Sequence, residues 1–123
     1  MIQNYKELDV WKKSIAFTIE VYRLTGGFPE TEQNGLIYQI RRAAISVPAN
    51  IAEGWGRGSK KEYVQFLKIA RGSLMQLETH LTVGCMLTFL TQDELEVASK
   101  TIEEIGKMLN GLIRELKSRT EAA

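Results

Sequence analysis

The 123-residue sequence predicts an all-α fold, an antiparallel up-down-up-down four-helix bundle. Two seams carry that expectation. Tyr63, Leu67, Ala70, Leu74, Leu77, Leu81 and Gly84 recur in alternating steps of four and three. Leu95, Ala98, Ile102, Ile105, Leu109, Leu112 and Leu116 repeat the same rhythm. Seams of this kind suit helices packed at a shallow angle. The third observation is an absence: no stretch alternates with period two, so the pattern offers no strand.

The elements follow in chain order within one domain over residues 1–123. Leu8, Trp11, Ile15, Ile19 and Tyr22 form an apolar stripe, predicting a helix over about 8–25 with this stripe inward. Asp9 is its expected N-cap. Thr25-Gly26-Gly27 is expected to stop it, with glycine in the left-handed conformation. Phe28-Pro29 then turns the chain. A second helix, about 32–56, opens near Thr31, whose hydroxyl is the expected cap. Its inward stripe is Leu36, Ile40, Ala43 or Ala44, Val47 and Ile51. Pro48 removes one amide hydrogen bond inside that run, so a kink is expected between Ala44 and Val47.

Gly54, Gly56 and Gly58 end the second helix. Ser59 and Glu62 form a capping box that opens a third, about 60–89. Thr91 and Glu94 form another that opens a fourth, about 92–118. The tail from Ser118 to Ala123 is expected to fray. Gly72, Gly84, Gly106 and Gly111 fall inside helices, where glycine is costly, and are expected to mark close helix approach.

Composition narrows the class. The lone Cys85 excludes an intrachain disulfide and fits a reducing compartment. No apolar run is long enough for a membrane span, and the N-terminus lacks the apolar core of a signal peptide, so a cytoplasmic protein is expected. Charge is uneven. Residues 39–71 hold seven basic and two acidic side chains, net +5, whereas the whole chain is +1. Arg41, Arg42, Arg57, Lys60, Lys61, Lys68 and Arg71 are therefore the candidate contacts for nucleic-acid phosphates. Arg57, Lys60 and Lys61 flank a glycine-rich turn at a helix N-terminus, where backbone amides also favour anions.

Arg42, Ser46, Asn50, Glu53 and Arg57 line up as a polar stripe on the second helix. Ser46, Asn50 and Glu53 read either as a structural belt or subunit contact, with Glu53 paired to an arginine, or as part of an anion site. Catalytic groups are scarce. His80 and Cys85 stand five residues apart on one helix and diverge, with Cys85 expected to fill core space. No second His or Cys offers metal-ligand company. Glu103 and Glu104 are adjacent and point apart. The Gly54–Lys60 run lacks the spacing of a phosphate loop, and Trp55 within it is a weak stacking candidate. No catalytic residue, metal or cofactor is expected.

Three segments are more specific. DVWKKS, GLIYQIRRAAISVPANIAEGWGR and YVQFLKIARGSLMQLET resemble the four-helix-bundle family encoded by intervening sequences of bacterial 23S ribosomal RNA genes. The resemblance runs from about Tyr5 into the fourth helix. It implies a homo-oligomeric ring of five, suspected nucleic-acid binding and no established catalysis. That family in turn resembles the accessory protein of diversity-generating retroelements. The expected function is a non-enzymatic, ring-forming bundle that contacts RNA or DNA backbone. The alternative is an oligomeric scaffold for a protein partner, such as a reverse transcriptase, without direct nucleic-acid contact.

Overall fold

The computed structural model describes residues 2–122, with side chains over residues 2–119. It contains helices α1 (Asp9–Thr25), α2 (Leu36–Gly56), α3 (Lys60–Met86) and α4 (Gln92–Ala122). Short 3-10 turns at Tyr5–Glu7 and Glu30–Glu32 precede α1 and α2, and the described residues include no strand. Met1 and Ala123 lie outside the described residues.

The predicted caps open α3 and α4. Ser59 Oγ accepts the Glu62 amide at 3.2 Å, and Thr91 Oγ1 accepts the Glu94 amide at 3.1 Å. Glu94 returns the bond by accepting the Thr91 amide at 2.8 Å. Glu62 instead accepts the Ser59 hydroxyl at 3.2 Å. A third box, unforeseen, joins Asn4 and Glu7 ahead of α1.

Other boundaries correct the sequence reading. Asp9 is the first residue of α1 and Leu8 holds the cap position, with no side-chain cap bond. Gly26 is right-handed at φ −61, so no left-handed glycine stops this helix. Helix α2 begins at Leu36 because Glu30–Glu32 wind as a 3-10 turn; the Glu32 carboxylate accepts the Leu36 amide at 3.2 Å. Helix α3 ends at Met86, and Thr88 takes the left-handed conformation there at φ 66. That is a strained state for a β-branched residue. Helix α4 runs to Ala122, past the point where fraying was expected.

Contacts between neighbouring helices step in opposite senses. Thr18 meets Ala44 while Tyr22 and Thr25 meet Arg41. Arg71 meets Asn110 while Cys85 meets Gln92. The α2–α3 pair packs most extensively and the α1–α4 pair least. Every residue of the α3 seam is buried. In α4 the seam drifts: Leu95 and Leu112 sit at the core's edge and Ile113 turns inward.

Helix α1 departs from its stripe. Val10, Ser14, Phe17, Thr18, Val21 and Thr25 face the core, whereas Ile15, Ile19 and Tyr22 are exposed. The three buried hydroxyls each donate to a carbonyl four residues back, on Val10, Ser14 and Val21, at 2.7 to 2.8 Å. Satisfied in this way, small polar side chains can be buried at low cost and let α1 lie close to α2.

Helix α2 continues through Pro48, which is itself buried. Proline has no amide to offer the Ala44 carbonyl. The Thr18 hydroxyl reaches that carbonyl at 3.3 Å while donating to Ser14 at 2.8 Å, a shared hydrogen between two helices. Glycine marks close approach at two places. A Cβ on Gly54 would lie 2.8 Å from Phe66 Cβ, and one on Gly84 would lie 3.0 Å from Leu90. Gly72 and Gly106 have nothing within 4 Å and Gly111 only an arginine tip, so these three do not mark close packing within the subunit.

Candidate nucleic-acid interface

The seven basic residues read from the sequence divide among four surfaces. Arg41 belongs to the α1–α2 side. Its guanidinium donates to Thr25 Oγ1 at 2.9 Å and to the Tyr22 carbonyl at 3.2 Å, and stacks 4.5 Å over the Tyr22 ring. It thus caps the carbonyl end of α1. Arg42 lines a groove of about 660 Å³ between α2 and α3, with Gln39, Gln76 and His80. The polar stripe continues in that groove, but its bonds stay on α2. Ser46 donates to the Ala43 carbonyl at 2.8 Å, and Asn50 donates to the Ser46 carbonyl at 2.7 Å.

At the α2–α3 turn, Arg57 is held by Glu53 at 2.8 Å and Glu62 at 3.7 Å, and lies 4.9 Å over the Phe66 ring. The pairing expected for Glu53 is therefore present, and Arg57 is largely neutralised. Lys60 and Lys61 are exposed beside it, and neither forms an ion pair among the described residues. Trp55 packs edge-on against Tyr63 with ring centroids 6.0 Å apart, anchoring the turn.

Lys68 and Arg71 face α4. Arg71 donates to neutral Asn110 at 2.8 Å. Lys68 comes up against Lys117, a residue the sequence reading did not single out. Lys117 beside it, and then the hydrogen bonding between the two amines, hold Lys68 below the ordinary lysine range. No carboxylate pairs with either lysine among the described residues. The pairing has a geometric origin. Helical side chains lean toward their own N-terminus, so on antiparallel helices Lys68 and Lys117 lean toward each other. Counting outward from the α3–α4 turn along both seams, with that lean added, is the sequence signal that could have found Lys117.

The charge asymmetry is axial. The half of the bundle holding the α2–α3 turn, residues 2–17, 47–73 and 107–122, carries twelve basic and six acidic residues, net +6. The other half, residues 18–46 and 74–106, carries four and nine, net −5. Lys60, Lys61, Lys68, Arg71 and Lys117 all lie in the positive half.

Other perturbed groups do not build a reaction centre. Burial, then the Glu115 charge, pushes the Tyr63 hydroxyl up to about 12, and that buried oxygen has no hydrogen-bond partner among the described residues. The bond from Lys13, at 2.8 Å, holds Glu104 below the usual carboxylate range. Cys85 sits at the core's edge, its thiol donating to Gln92 at 3.6 Å, and His80 lies apart in the α2–α3 groove. No group of three His, Cys, Asp or Glu among the described residues is placed to hold a metal ion, and no described helix is long and apolar enough to cross a membrane.

Comparison with known proteins bears on this architecture. A solved structure from Bacteroides thetaiotaomicron VPI-5482, a protein of unknown function from the S23 ribosomal protein family, is 25% identical, with a TM-score of 0.75. The match covers 85% of this chain and 97% of that one. No curated protein matches. The family model for the 23S rRNA-intervening sequence protein matches residues 6–111, which hold α1 to α3 and the first part of α4. This chain belongs to the 23S rRNA-intervening sequence protein family.

Proposed function

We propose that this chain is a non-enzymatic, homo-oligomeric bundle, a ring of five by its resemblance, that holds a nucleic-acid backbone on its α3–α4 side. Lys68, Arg71 and Lys117 are the central contacts, with Lys60 and Lys61 toward the adjoining end. One observation carries this reading: two lysines from different helices stand together with no carboxylate between them. Like charges held so close repel, and a bridging phosphate removes that repulsion. Arg41 and Arg57 fit the interface less well, since both are engaged within the subunit. The family's description links its members with 23S rRNA, so RNA is the first polyanion to test.

The test is binding of a single-stranded RNA oligonucleotide, followed by fluorescence anisotropy at several salt concentrations. Log affinity should fall linearly with log salt, with a slope of about −0.7 per phosphate neutralised. The double variant Lys68→Gln/Lys117→Gln should flatten that slope by roughly one to two phosphates. Unchanged affinity and slope would remove these residues from the site and leave the protein-scaffold reading.

A further inference from the structure

Helix α3 turns a second face, away from Lys68 and Arg71, toward α2, and the polar groove of about 660 Å³ runs between the two helices. That volume suits one small molecule. Both walls repeat at helical steps of three and four, so their side chains converge on one channel. Gln39, Arg42, Gln76 and His80 lie farthest from the α2–α3 turn, and their side chains make no hydrogen bond or ion pair among the described residues. No carboxylate lines the groove, so the Arg42 guanidinium is unopposed there, unlike Arg41 and Arg57.

Nearer the turn the groove changes character. Ser46, Asn50 and Ser73 donate to carbonyls of their own helices at 2.8, 2.7 and 3.2 Å. Their side-chain oxygens keep lone pairs for an incoming donor. One end thus offers a positive charge and N–H donors, and the other offers acceptors. Gly72 lies between them. A Cβ there would meet nothing within 4 Å, so packing within the subunit does not account for a glycine in the middle of α3. Beside it Ile69, 44% exposed, adds an apolar surface.

We infer that this groove binds a nucleoside monophosphate, free or as one residue of an RNA strand. The phosphate sits on Arg42, whose planar fork suits it, with N–H groups of Gln39, Gln76 and His80 around it. The ribose crosses the space that Gly72 leaves open. The base lies against Ile69 and donates its exocyclic amine to Asn50 and Ser73, as adenine and cytosine can and uracil cannot. Arg42 and Asn50 stand about 12 Å apart along α2, a span that phosphate, sugar and base cover in line.

Calorimetric titration of the full chain with AMP, CMP, UMP and inorganic phosphate tests this. AMP and CMP should bind, UMP several-fold more weakly and phosphate alone more weakly still. Arg42→Gln should weaken AMP binding roughly 10- to 100-fold, as loss of a charge-assisted contact does. Gly72→Leu fills the groove and should abolish binding. Its circular-dichroism melt should be no lower than the parent's, since leucine is the better helix former, and its mass on a sizing column should be unchanged. Lys68→Gln/Lys117→Gln should leave AMP affinity as it is, so this site and the α3–α4 surface are read separately. Displacement of AMP by single-stranded RNA identifies a strand residue as the occupant, and no displacement identifies the free nucleotide. Absence of AMP binding at millimolar concentration would overturn the site, as would UMP or phosphate binding as tightly as AMP. So would an Arg42→Gln chain of parental affinity, or a Gly72→Leu chain that changes mass and not affinity.

Discussion

Thr18 shows how much one side chain can settle. Its hydroxyl serves two carbonyls, and one of them, on Ala44, is the acceptor that Pro48 leaves without its helical amide. Thr18→Val should therefore cost about 1 kcal/mol, the usual worth of a buried hydrogen bond. The cost should shrink in a Pro48→Ala background, where residue 48 regains an amide to donate. Chemical denaturation of the four proteins of that cycle measures the coupling; equal costs in both backgrounds would sink the account. None of this is legible from Thr18 alone, because its role depends on a residue thirty positions away. The capping serines and threonines differ. Ser59 and Thr91 act on amides three residues on, so spacing alone reveals them.

At the scale of elements, α1 is held to α4 by the least packing in the bundle and by the Lys13–Glu104 ion pair at 2.8 Å. The Glu104 carboxyl is depressed in the folded state, so its contribution is present above the ordinary carboxylate pKa. It is lost as pH falls through the folded value. Glu104→Gln should lower the melting temperature slightly at neutral pH and not at strongly acid pH, as thermal melts at several pH values would show. A uniform decrement at every pH would contradict it. Helix α1 also shows where patterning misleads. Its large apolar residues mark a regular stripe, yet the core takes Ser14, Thr18 and Thr25 instead. A count of hydrophobic side chains cannot see that small hydroxyl residues, bonded to their own helix, give the closer contact. In α3 large side chains line the seam without competitors, and there the pattern and the packing coincide.

The whole molecule is electrically polarised along its axis, +6 in one half and −5 in the other. Repulsion within the positive half acts over distances comparable to the Debye length, about 8 Å at physiological salt, and so yields to screening. Raising salt from roughly 50 to 500 mM should raise the melting temperature of the protein, and RNA should do so at lower ionic strength. A melting curve indifferent to both would count against a polyanion on this half. Lys68 adds a second signature. Its folded pKa lies below the unfolded one, so stability rises with pH between those two values, and bound phosphate should abolish that rise.

The sequence by itself determined the helices, the seams of α3 and α4, two of the caps and a concentration of positive charge. These depend on residues a few positions apart, where backbone geometry fixes who meets whom. Only the tertiary structure decided that Arg41 caps α1 and that Lys68 finds Lys117. It also decided that the stripe of α1 faces outward. Those outcomes turn on the rotation and register of one helix against another. Close packing sets both through small side chains and single hydrogen bonds that leave no period in the chain.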